Sequence, residues 1–132
     1  MRPFLKRSQG FTLIEIMAVL VIMGVMASVA ARKINDISGT AELRALETGI
    51  VELNAREMLY WTNAKFAPGG WGGNGGDTGV WAVMALDTDV GTEYSWTVGP
   101  DRLAGGTLSF GSQSIPLNRA VSTNIAAARW SS

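Results

Sequence analysis

Between Phe11 and Ala31 the chain reads FTLIEIMAVLVIMGVMASVAA, an almost unbroken apolar run. About 21 residues of helix span roughly 31 Å, which matches the hydrocarbon thickness of a bilayer. From Ala41 to Tyr60 the pattern changes to a helical period. Leu43, Leu46, Ile50 and Leu53 recur at spacings of three and four, and Leu59 and Tyr60 continue the apolar surface. Glu52 stands four residues before Arg56, the favourable order for a helical ion pair. Asn35, Asp36, Ser38 and Gly39 could cap and restart a helix, but no proline forces a break. The pattern therefore predicts one long helix of about 50 residues, apolar in its first half and amphipathic in its second.

After that helix the chemistry becomes turn-like. Residues 68–79 read PGGWGGNGGDTG and predict an exposed connector with no regular structure. No Lys-Ser or Lys-Thr pair follows, so the spacing is not that of a phosphate-binding loop, and subunit contact through Trp71 is the sharper alternative to a flexible connector. Val80 to Leu86 fits a short helix or a strand. Glu93 to Val98 alternates as a strand stopped by Gly99-Pro100, and Thr107 to Phe110 predicts a second strand. Ala120 to Trp130 fits either a last strand or a short helix. The expected fold class is α+β, with a small antiparallel sheet on the amphipathic helix burying Trp96, Phe110 and one face of Leu43 to Leu53.

The single charge inside the apolar run is Glu15. A carboxylate in lipid is costly unless neutralised or paired. Two ordinary readings leave it unexplained. One is a plain membrane anchor. The other is a secretory signal peptide cut near the small-x-small triplet Ser28-Val29-Ala30. Cutting between Gly10 and Phe11 instead creates an amine four positions from Glu15, on the same chain or on a neighbour. A buried carboxylate and ammonium that find each other enforce register, because a slipped copy leaves both unpaired. Arg2, Lys6 and Arg7 before the run favour a cytoplasmic leader, although Arg32 and Lys33 weaken the bias. Gly24, in mid-span, is either a point of local unwinding or a close-packing site for another helix.

Gly10-Phe11-Thr12-Leu13-Ile14-Glu15, behind a short basic leader and ahead of the apolar run, resembles the processing motif of type IV prepilins and type II secretion pseudopilins. The resemblance covers residues 6–35. It implies a prepilin peptidase that cuts after Gly10 and N-methylates Phe11, with Glu15 docking to a neighbouring Phe11 amine. It also implies extraction of the helix from the membrane by an assembly ATPase and a platform protein into a helical self-polymer, with minor pilins or pseudopilins as companions. The expected organisation is a leader over 1–10, a transmembrane and assembly helix over 11–31, its amphipathic continuation over 32–62 and a head over 63–132. The precursor is expected in the inner membrane with its leader in the cytoplasm, and the product in a periplasmic or cell-surface filament. Two features depart from the family: no proline stands at Ala31 or Arg32, and the cysteine pair that closes many pilin heads is missing. The second points to a pseudopilus subunit or to a pilin that uses other staples.

Composition narrows the remaining chemistry. The 132 residues include no cysteine and no histidine, which removes thiolate and imidazole catalysis and the usual zinc sites. No enzymatic constellation stands out and no cofactor is expected. Asp87, Asp89 and Glu93 are candidate calcium ligands, by analogy with the calcium loop of major pseudopilins, but their spacing fails the EF-hand pattern. Solvated loop acids are the alternative. Removing the leader takes away three of eleven basic side chains, leaving eight against eleven acids, so nucleic acid is not an expected partner. Of five tryptophans, two or three are expected in the core, with the rest at subunit contacts or a glycan-binding surface.

Overall fold

A computed structural model describes residues 10–132. The expected leader residues Arg2, Lys6 and Arg7 lie outside the described range. The chain divides into two compact units, Met1–Ile37 and Ser38–Ser132, and helix α1 (Leu13–Phe66, 54 residues) contributes to both. The long helix read from periodicity is thus present as one element.

In the first unit the apolar side chains of α1 are exposed from Leu13 through Val29, and the stretch is long and apolar enough to cross a bilayer. Ser28, its hydroxyl group within the run, donates back to the Val25 carbonyl at 2.8 Å. A hydroxyl satisfied inside its own helix adds little cost in lipid.

In the second unit the later part of α1 lies against a four-stranded antiparallel sheet of order β1-β2-β3-β4. The strands are β1 (Tyr94–Thr97), β2 (Ala104–Phe110), β3 (Gln113–Ala120) and β4 (Arg129–Ser131). Leu46, Leu53, Met84, Val90, Trp96, Leu108, Leu117 and Trp130 form the core. Trp96 meets Trp130 edge to face, with ring centroids 5.3 Å apart. Phe110 is half-buried against Tyr94 at 4.8 Å.

The buried row on α1 is Leu46, Gly49, Leu53 and Glu57. This corrects the expected stripe at both ends, since Leu43 and Leu59 are about half exposed. Gly49 is in the row because the helix comes close to the sheet there: a Cβ would lie 2.8 Å from Leu108 Cδ2 and 2.9 Å from Tyr94 Cε1. The ion pair expected of Glu52 and Arg56 is made at 2.8 Å, and Arg56 also reaches Asp87 at 3.1 Å.

The glycine-rich segment is not the irregular connector that its composition predicts. It holds α2 (Gly70–Gly73) and α3 (Gly76–Met84), so Val80 to Met84 is helical. Gly69 and Gly75 precede these helices in the left-handed region, which allows the sharp re-entries. The Asn74 amide donates to the carbonyls of Ala64, Pro68 and Gly70 at 3.3, 3.2 and 2.7 Å, tying the segment to the end of α1. Strand β3 was absent from the sequence expectations. The 120–130 stretch holds a loop and then β4, with no terminal helix.

Candidate assembly site at the start of the long helix

Gly10 is exposed and precedes the first helical turn, and Phe11 is 82% exposed. The Gly10–Phe11 junction is therefore in open chain. Thr12 caps the helix and Glu15 stands three residues later. The Glu15 side chain accepts the Thr12 backbone N–H at 2.8 Å and its hydroxyl at 3.0 Å, while the Glu15 N–H lies 3.3 Å from the Thr12 hydroxyl oxygen. This is a capping box, in which helix-start donors and a carboxylate satisfy one another. The spacing Thr-x-x-Glu is its sequence signature. Glu15 thus has a local partner before any proteolysis. Its two oxygens leave room for a further donor, and an amine at residue 11 would be the adjacent one.

Gly24 has nothing within 4 Å of where a Cβ would stand. Earlier on the same helix, Leu13, Ile14, Met17, Ala18, Val21 and Ile22 present a shallow apolar face. Residues 5–31 match the family model described as the prokaryotic N-terminal methylation motif. The chain carries the prepilin-type motif of type IV pilins and pseudopilins. No curated protein and no solved structure matches it. A prepilin-type N-terminus points to a structural subunit rather than a catalyst, and with the exposed apolar helix it is compatible with a membrane-anchored precursor.

In the head of this prepilin-type chain, the candidate calcium ligands Asp87 and Asp89 each have a protein partner. Asp87 accepts the Tyr60 hydroxyl at 2.6 Å and pairs with Arg56. That bond to Asp87 pushes the Tyr60 phenol above its ordinary range, with burial adding to it. Asp89 accepts the Gly91 N–H at 3.1 Å, closing a turn. Among the described residues no three acids gather as a metal-binding group. Asp101 caps the N–H groups of Leu103 and Ala104 at 2.8 and 2.9 Å.

A buried charge cluster, by contrast, was not anticipated. Glu57 on α1 is fully buried, Arg119 on β3 is 3% exposed and Asp77 in the first turn of α3 is 6% exposed. The Arg119 guanidinium grips both oxygens of Glu57, through Nε at 3.1 Å and Nη2 at 2.5 Å, and reaches Asp77 at 2.9 Å. Trp130 Nε1 donates to Glu57 at 3.0 Å, and the Ser122 N–H and hydroxyl donate to Asp77 at 2.7 and 2.6 Å. Arg102 adds a second cation at 3.3 Å from Asp77. Trp81 lies 5.4 Å from the guanidinium carbon of Arg119. Burial alone would raise the Asp77 carboxyl, but the bonds from Arg119 and Ser122 outweigh it and hold its pKa below the ordinary value. For Arg119 burial works against the charge, and Glu57 and Asp77 more than offset it, keeping the guanidinium protonated. Three elements, in a head without cysteine, are thereby joined through charge. The signal in sequence was an acid continuing an apolar helical row, which demands a buried cation.

Proposed function

We propose that the chain is a structural subunit of a type IV pilus-like filament, made as a single-span inner-membrane precursor with a cytoplasmic leader. A prepilin peptidase cuts after Gly10 and methylates Phe11. An assembly ATPase and platform protein then draw the apolar helix into a self-polymer, with minor subunits as companions. The observation that carries this reading is the methylation motif over residues 5–31, whose apolar helical part is exposed from Leu13 through Val29. Within that polymer, Glu15 of one copy meets the Phe11 amine of a neighbour, and Gly24 is where the helix can loosen to fit.

A pseudopilus subunit for protein export uses the same chemistry, and a head without cysteine fits it as well as it fits a pilin that uses other staples. Surface filaments containing this chain support the pilus. Loss of protein secretion on deletion supports the pseudopilus. Processing is tested by the mass of the mature chain recovered from its own cells. A chain beginning at methylated Phe11 is expected. A chain that keeps its first ten residues, or begins after Ala30, overturns the reading.

A further inference from the structure

Residues 121–128, between β3 and β4, have no regular structure, yet both of their ends and their tip are tied down. At one end, Ser122 is held by Asp77 through its N–H and hydroxyl. At the other, Asn54 treats Trp130 as a neighbouring strand would. Its Oδ1 accepts the Trp130 N–H at 2.9 Å and its Nδ2 donates to the Trp130 carbonyl at 3.2 Å. At the tip, Trp61 Nε1 donates to the Thr123 carbonyl at 2.8 Å, and Lys65 Nζ donates to the Asn124 carbonyl. Asn54, Trp61 and Lys65 follow one another at spacings of seven and four, so a single face of α1 supplies every one of these ties except the one from Asp77 of α3.

The two kinds of tie differ in strength. Both ends are anchored in buried surroundings, since Ser122, Ala128 and Trp130 are almost wholly enclosed. The tip is held by exposed polar bonds, and Ile125 between them is 87% exposed. A groove of about 600 Å³ lies beside the tip, walled on one side by Val51, Met58 and Trp61 of α1 and on the other by residues 125–129. We propose that residues 123–127 are a strap, latched at its tip by Trp61 and Lys65, that opens separately from the rest of the head and carries part of one wall of this groove with it. Segments held by few apolar contacts and by exposed hydrogen bonds open below the free energy of global unfolding. The strap has its own amide reporters: Thr123 N–H bonds to the Ala126 carbonyl at 2.8 Å, and Ala126 N–H to the Thr123 hydroxyl at 3.2 Å.

This inference is independent of the processing and assembly of the N-terminus. It is tested by amide hydrogen exchange, read by NMR on the full chain in detergent micelles, comparing wild type with Trp61→Phe/Lys65→Met. Both replacements keep the apolar body of the side chain and remove the donor. Amides of residues 123–126 should exchange about tenfold faster, the scale of a lost hydrogen bond, while those of β1–β3 and of Trp130 stay unchanged. Trp61→Phe alone should move the same amides by less. Unchanged exchange at 123–126, or equal acceleration throughout the head, overturns the strap.

Discussion

Glu15 and Glu57 lie on the same helix, each an acid continuing a row of apolar side chains, yet the two regions treat them in opposite ways. Around Glu15 the apolar side chains face outward and the carboxylate is held by its neighbour Thr12. Glu57 instead continues the buried row of Leu46, Gly49 and Leu53, and its carboxylate is gripped by an arginine 62 residues away in sequence. The lesson is that a helix with acids among aliphatics carries its instructions in what the rest of the chain offers. Where the same chain folds an inward-facing Arg119 against it, the acid becomes part of a core. Where it offers only a cap, the apolar row is left for a membrane or another copy.

The sharpest way to break that comparison is to remove each acid. Glu57→Ala strands the buried Arg119, and the head should lose about 3–5 kcal/mol of stability, the cost of breaking a buried pair from one side. Glu15→Ala should leave the unfolding midpoint of the head unchanged. Thermal unfolding followed by tryptophan signal, on full chains in micelles, reads both. Equal midpoints for wild type and Glu57→Ala would remove the charge cluster from the account of the head.

Two glycines of α1 sharpen it next. Gly49→Ala drives a methyl into Leu108 and Tyr94 and should cost about 1–3 kcal/mol by overpacking. Gly24→Ala meets nothing and should stiffen the helix by about 1 kcal/mol without altering the head. The same unfolding measurement checks the first, and helical circular dichroism the second.

The smallest effect is a pH slope. Asp77 has its folded pKa held below the ordinary value of 3.8. The unfolded chain therefore binds a proton before the folded head does. The contribution of Asp77 to stability is complete above the ordinary value and is lost as pH falls through the lower, folded one. Asp77→Asn should flatten that part of the acid-unfolding profile, and an unaltered slope would assign the acid loss to other groups.

How much of this was readable beforehand follows from the same physics. The helix from Leu13 and the strands around Trp96 and Leu108 were legible because hydrophobic period reports burial against one surface. Strand β3 was hidden by Pro116 and by Asn118-Arg119, residues foreign to a central strand. Pro116 sits beyond the reach of β4, whose ladder spans only Asn118 to Ala120, so proline stands where β3 has a free edge. Arg119 points inward because its charge is matched, a long-range fact that local pattern cannot express. The helices after Gly69 were hidden because glycine content argues for a loop, while Asn74 and Asp77 supply tertiary ties that override it. At the N-terminus the motif residues were legible as a set. The Thr12–Glu15 capping box is equally local, carried by the Thr-x-x-Glu spacing alone.

That capping box also supplies the most direct test of the central claim, that the charge of Glu15 serves assembly. Glutamine serves in a capping box but carries no charge to pair with an amine. Glu15→Gln should therefore be made, inserted and cut after Gly10 like wild type, yet enter filaments poorly when expressed in its own host. Filament incorporation at the wild-type level from Glu15→Gln would contradict the account, leaving Glu15 as the cap of its own helix.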